Sequence, residues 1–82
     1  MKIYTYTVRI EPAEEGGYNV YVPALPGCVT QGETYEEAVV MAQDAIRCYL
    51  EGLLHDGEPI PEDPQQARAA TVGAELAVPI AI

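Results

Sequence analysis

Between Val22 and Ala38 the chain reads V-P-A-L-P-G-C-V-T-Q-G-E-T-Y-E-E-A, and no other stretch restricts its fold so tightly. Pro23 and Pro26 cannot donate to a β-ladder, and Gly27 beside them tolerates the tight turn of a compact loop. A strand entering this segment therefore has to stop at Val22. A second short run, Cys28 to Gln31, is cut off by Gly32 and Glu33. Thr34 followed three residues later by Glu37 is a capping box, which satisfies N–H groups that a helix start leaves open. Strand end, loop, short strand and helix start thus follow one another within seventeen residues.

The flanking sequence supplies the rest of an α+β domain. Ile3 to Glu11 alternates, with Tyr4, Tyr6, Val8 and Ile10 on one face and Thr5, Thr7, Arg9 and Glu11 on the other, the period of a half-buried strand. Pro12 to Gly17 is a turn in which Gly16-Gly17 supplies positive φ, and Tyr18 to Val22 is the return strand. From Tyr35 to about Leu54 the apolar residues fall on one side of a helix: Tyr35, Ala38, Val39, Met41, Ala42, Ala45, Ile46, Tyr49, Leu50 and Leu53. Glu36, Glu37, Gln43, Asp44, Arg47 and Glu51 cover the other side, where Val40, Cys48 and Leu54 also fall. Gly57 is a left-handed stop. Pro59, Pro61 and Pro64 stiffen the next segment, a short helix is predicted from Pro64 to about Ala70, and Glu75 to Ile82 is a last strand. In that strand Leu76, Val78, Ile80 and Ile82 share a face, while Pro79, lacking an N–H, places it at an edge or calls for a bulge.

The order is therefore βββα, short α, β, forming a mainly antiparallel four-stranded sheet with the long helix on one face. A right-handed crossover puts the last strand beside the first and parallel to it, giving the order 3-2-1-4. Residues 1–82 make one domain, and a chain this short buries a limited share of its surface. With 49% hydrophobic residues on so small a body, part of the apolar surface is expected between copies of a homo-oligomer.

Charge narrows the functional classes. Nine of the 13 carboxylates lie between Glu33 and Asp63 against a single cation, Arg47, whereas the first 32 residues hold three carboxylates and two cations. This field repels phosphate backbones, so direct nucleic-acid binding is not expected, and it attracts a basic protein. Acidic residues that only keep a small domain soluble give the same count. No apolar run approaches membrane-spanning length, the N-terminus lacks the apolar block of a signal peptide, and Cys28 and Cys48 read as free thiols of a reducing compartment, which together predict a cytoplasmic protein.

Reactive groups do not assemble. His55 lies almost two helical turns past Cys48, two thiols and one imidazole make no metal set, and the strand centres carry Tyr, Thr and Val instead of converging carboxylates. No catalytic residue, metal or cofactor is expected. The sheet tyrosines could stack bases, but the charge opposes it; Tyr4, Tyr6 and Tyr18 are expected in the core and Tyr21 at the surface. Glu36, Asp44 and Glu51 with Val40 and Tyr21 are the candidate partner-binding residues.

The stretches L-P-G-C at Leu25 to Cys28 and G-E-T-Y-E-E-A at Gly32 to Ala38 resemble the core pattern of the HicB-like antitoxins, roughly I-P-D-L-P-G-C-x-T-x-G-x-T-x-E-E-A. Pro23, Leu25, Pro26, Gly27, Cys28, Gly32, Thr34, Glu37 and Ala38 carry the match. The resemblance implies a reduced, non-catalytic ribonuclease H-like fold and an antitoxin that binds and masks a small basic ribonuclease of the HicA type. Many such proteins add a C-terminal DNA-binding domain; here the sequence reaches Ile82 just after the last predicted strand, and a short form without that domain is expected. The family's frequent Asp in the loop is Ala24. Two other readings remain beside it: a stand-alone homo-oligomer acting as a scaffold or accessory protein, and a residual nuclease.

Overall fold

The computed structural model describes residues 2–63 and 75–82. Its elements run β1 (Ile3–Pro12), β2 (Tyr18–Tyr21), β3 (Val29–Gly32), α1 (Tyr35–His55) and β4 (Glu75–Ala81). The sheet has the order β3-β2-β1-β4, with α1 across one face. The predicted short helix at Pro64 to Ala70 falls outside the described residues.

Every neighbouring pair is antiparallel, including β1 with β4, where Ile3 faces Ala81 and Arg9 faces Glu75. The expectation of a parallel last strand is thereby corrected. It treated α1 as the whole crossover. Instead α1 descends from the Gly32 end of the sheet, and the chain returns toward that end before β4 begins. By Asp63 it already lies alongside the middle of β1. The Tyr6 hydroxyl donates to the Pro61 carbonyl at 2.6 Å, and the Thr7 N–H donates to the Asp63 carboxylate.

That position has a cause in the ladder. Lys2 and Ile82 exchange both N–H···O bonds at 3.0 and 2.9 Å. Alternation along an antiparallel pair then turns the even residues of β1 toward β4 and the odd ones toward β2. Since β2 ends at Tyr21, opposite Arg9, the Thr7 N–H faces a place with no β2 residue in it. A buried donor needs an acceptor, and Asp63 brings one. Thr7, expected on the polar face, is wholly buried, while Thr5 and Arg9 stay exposed.

The β2–β3 loop consists of two successive turns. Leu25 N–H donates to Val22 O at 3.0 Å, and Cys28 N–H to Leu25 O at 2.9 Å. Each turn has proline at its second position, Pro23 and then Pro26, where a fixed φ is already suitable. The second needs positive φ at its third position, and Gly27 supplies +82°. Leu25 points inward between the turns and is completely buried, Cys28 is buried beside the core, and the Tyr49 hydroxyl of α1 donates to Pro26 O at 3.0 Å. Ala24 also packs on the core. At the other hairpin, Gly16 and Gly17 take φ of +101° and +75°.

Thr34 caps α1 as the sequence implies, its Oγ1 accepting from Glu37 N–H at 3.1 Å. The reciprocal bond is displaced by one residue: Glu37 Oε1 accepts from Glu33 N–H, at 3.2 Å. The helix ends in a Schellman arrangement around Gly57 (φ +70°), with Glu58 N–H on Leu53 O at 2.8 Å and Gly57 N–H on Leu54 O at 3.2 Å. Its buried stripe is narrower than the sequence suggests. Ala38, Ala42, Ile46 and Leu50, spaced by four, are fully covered, and Val39, Ala45, Tyr49 and Leu53 are half-covered. Tyr35 and Met41 are exposed. Tyr35 sits in the first turn and meets Tyr18 edge-on, ring centres 5.9 Å apart. The small residue at position 38 allows close approach, and Gly32 is the other half of it: a Cβ there would lie 2.5 Å from Ala38 N and 2.7 Å from Ala38 Cα.

Candidate partner-binding surface

The solvent side of α1 carries one continuous line, Glu36, Val40, Asp44, Arg47, Glu51 and Leu54, because steps of three and four keep residues on one helical face. All six are exposed, and Val40 and Leu54 at 60% and 48% show that apolar groups are part of this face. Arg47 makes no ion pair among the described residues, so the three carboxylates are not cancelled by a fixed partner. Glu36 also lies in the first turn, where the helix dipole favours its charge.

Tyr21 does not join this line. Its neighbour Val20 is fully buried under α1, so Tyr21 projects from the opposite face of the sheet. There it pairs across strands with Val29, and both are exposed. The candidate residues therefore divide into two surfaces: an acidic line with apolar points on the helix, and an uncharged pair on the back of the sheet.

A third feature was not read from the sequence. The β1–β2 turn approaches the start of α1 and forms an open cleft lined by Glu14, Glu15, Glu33 and Glu37 with Tyr18 and Met41. Among the described residues no lysine or arginine lines it. The two glutamate pairs are separated by seventeen residues in sequence, from Gly16 to Gly32, and meet because Tyr18 pairs with Gly32. The register of the hairpins was the signal that could have found it.

The other groups with chemical potential are placed apart. Burial, and secondarily Cys48, pushes the Cys28 thiol up, away from the thiolate form that reactivity needs. Cys48 is exposed. His55 is exposed, with Nδ1 3.4 Å from Asp56 Oδ1 and no hydrogen bond to either thiol among the described residues. Burial, then the charges of Tyr4, Asp63 and Glu62, pushes the Tyr6 hydroxyl up. Among the described residues no group of three His, Cys, Asp or Glu side chains is placed to hold a metal, and no helix is long and apolar enough to cross a membrane.

Comparison with known proteins gives a consistent result. The family described as HicB_like antitoxin of bacterial toxin-antitoxin system matches residues 6–76. A UPF0150 protein of Thermoplasma acidophilum is 53% identical over 58 residues, which is 71% of this chain and 84% of that protein. One from Synechocystis is 42% identical over 62 residues, 76% of this chain and 78% of that protein. Antitoxin HicB 1 of Photorhabdus laumondii is 48% identical over 61 residues, 74% of this chain but 39% of that protein. Among solved structures, the N-terminal domain of Burkholderia pseudomallei antitoxin HicB superposes with a TM-score of 0.66 at 20% identity, covering 95% of this chain and 96% of that one. The chain from a HicA3 and HicB3 toxin-antitoxin complex gives 0.63 at 22% identity, over 94% of this chain and 95% of that one. At these identities the structures speak for the fold.

Proposed function

The chain belongs to the HicB-like antitoxins, and from that premise we propose that it is a non-catalytic binding protein that masks a small basic ribonuclease of the HicA type. The observation that carries this reading is the line of Glu36, Asp44 and Glu51, three carboxylates to the one Arg47, around Val40 on the solvent side of α1. Negative charge steers a basic partner into place, and exposed apolar groups then supply area that excludes water. The acid cleft at the hairpin turn strengthens the same field. The expected setting is the cytoplasm, without a cofactor and without direct contact to nucleic acid.

Mixing the protein with a cognate HicA-type toxin should give a stable complex and restore translation. Reversing Glu36, Asp44 and Glu51 to lysine should slow association at low salt, by about tenfold or more, and leave the fold intact. A toxin encoded next to this protein whose activity is untouched by it would overturn the reading. Tyr21→Ala, on the opposite face, should leave association unchanged; a loss there would move the docking surface to the back of the sheet.

A second reading is supported by the relatives. The chain spans most of the two UPF0150 relatives, 78% and 84%, but 39% of the Photorhabdus antitoxin. A stand-alone homo-oligomer serving as scaffold or accessory protein accords with those shorter relatives. Self-association without any effect on a neighbouring toxin would favour it.

A further inference from the structure

We propose that the free edge of β3 is where a second copy of this chain docks, antiparallel, across a twofold axis at Thr30; this rests on the expected homo-oligomer and not on the toxin. The two edges of the sheet are unlike. In β4 the even residues bond to β1, as the Lys2–Ile82 exchange fixes, so Ala77, Pro79 and Ala81 turn their main-chain groups outward. Pro79 offers no N–H at the centre of that edge, which blunts it against an incoming strand. On the other side, Val22 N–H donates to Cys28 O at 3.1 Å. The bonded pairs continue at Val20–Thr30 and Tyr18–Gly32, leaving Val29 and Gln31 to present N–H and C=O outward. Neither has a main-chain partner on that side among the described residues. This edge reads Val-Thr-Gln-Gly, with no proline and no charge.

A second copy fits it for three reasons. The outward residues are two apart, so an antiparallel copy centred on Thr30 sets Val29 against Gln31 of the second copy and the reverse, closing four main-chain hydrogen bonds without a change of register. The same alignment places Glu33 opposite Gly27 of the second copy. No carboxylate then faces another along the edge, which matters for two chains that each carry −9. On the back of the sheet the exposed Val29 and Tyr21, 61% and 38%, become part of a continuous surface, with the two Val29 side chains on the diagonal at about 7–8 Å. Four residues bury less than the roughly 800 Å² per partner of a standard interface, so the dimer is concentration-dependent.

The experiment combines sedimentation velocity from about 10 μM to 1 mM, the range suited to a weak dimer, with cysteine cross-linking in a Cys48→Ser background. Thr30→Cys falls on the axis in a non-bonded pair, Cα atoms about 4.5 Å apart, within disulfide reach, and should cross-link at least about tenfold faster than Val29→Cys on its diagonal. Val29→Lys should raise the dissociation constant at least about tenfold by putting charge on the edge, and Val29→Thr should not. A wild-type dimer unaffected by Val29→Lys, with no preference for Thr30→Cys, would overturn the edge while leaving homo-oligomerisation standing. Monomer up to 1 mM would overturn both. Toxin binding by Val29→Lys, measured in parallel, should persist; its loss with a monomeric wild type would assign the edge to the toxin and end the second-copy proposal.

Discussion

Gly32→Ala is the smallest change that should separate the helix from the sheet. The backbone at Gly32 has no positive φ, so the substitution introduces no torsional strain and tests contact alone. Its new Cβ would lie 2.5 Å from Ala38 N, 2.7 Å from Ala38 Cα and 3.0 Å from Glu37 C, all main-chain atoms that no rotamer change can move. Ordinary carbon contacts begin near 3.5 Å, so the first turn of α1 has to withdraw by roughly 1 Å. A gap of that size forfeits about a quarter to a half of the dispersion energy of the contacts it opens. Forced overpacking of this kind costs about 1–3 kcal/mol, and contact with rigid backbone places this case near the upper end. For a domain of this size each kcal/mol is worth about 4–8 °C, so the melting temperature, followed by helical circular dichroism, should fall by roughly 10 °C or more. Gly52→Ala is the control. It lies exposed within α1 with nothing within 4 Å of the added carbon, and should stabilise by about 0.5–1 kcal/mol. Ala38→Gly should not rescue Gly32→Ala, because the obstructing atoms are not the Ala38 side chain. A Gly32→Ala protein melting within about 2 °C of the wild type would refute the close packing of α1 on β3.

Thr34→Ala removes the acceptor for Glu37 N–H and should cost about 1 kcal/mol in urea unfolding, with Thr34→Ser near neutral. The Tyr6 hydroxyl is pushed above its ordinary value of about 10 by burial, so the folded state holds the proton more tightly than the unfolded chain; stability should be unaffected by this group below pH 10 and should fall as pH rises above it. Tyr6→Phe should flatten that alkaline decline while costing about 1 kcal/mol at neutral pH for the lost bond to Pro61, both read from unfolding at a series of pH values. A thiol reagent should label exposed Cys48 in the native protein and reach Cys28 only on unfolding, as mass spectrometry of quenched samples would report. Pro79→Val should restore the missing donor on the β4 edge and add higher-order association, visible by light scattering.

What the sequence made legible follows from how local each signal is. The turns at Gly16-Gly17 and Gly27, the cap at Thr34 and the stop at Gly57 are each set by residues within a few positions, and all appear where they were expected. The order of strands was also met, although the crossover argument that placed β4 beside β1 assumed a parallel pair; Pro79 agrees with the edge position but does not choose the edge. The direction of β4 was not: it depends on the path between α1 and β4, in which the prolines at 59 and 61 signal stiffness but not heading. The acceptor for the Thr7 N–H was hidden for the same reason, because a threonine in a regular alternation gives no sign that Asp63 will come to it. At the surface, the exposed points Val40, Cys48 and Leu54 could be read from helical spacing alone. The separation of Tyr21 from the acidic line could have been read from alternation, but its membership in a patch with Val29 required the register of β3.

The placement of the carboxylates bears on whether the acidity is only a device for solubility. Spread evenly, it would keep the chain soluble at little cost. Here Glu14 and Glu15 line one cleft together with Glu33 and Glu37, and among the described residues no lysine or arginine lines it with them. Like charges held together oppose folding, so the arrangement spends stability. The two explanations differ in how salt acts. Screening should stabilise the free protein by relieving that repulsion, and the same screening should weaken its complex with a basic partner by slowing encounter. Solubility alone requires only the first effect. Melting temperature and association rate, measured over the same range of salt, should therefore move in opposite directions; a melting temperature that falls with salt would show that the carboxylates do not oppose folding, and an association rate indifferent to salt would remove them from recognition.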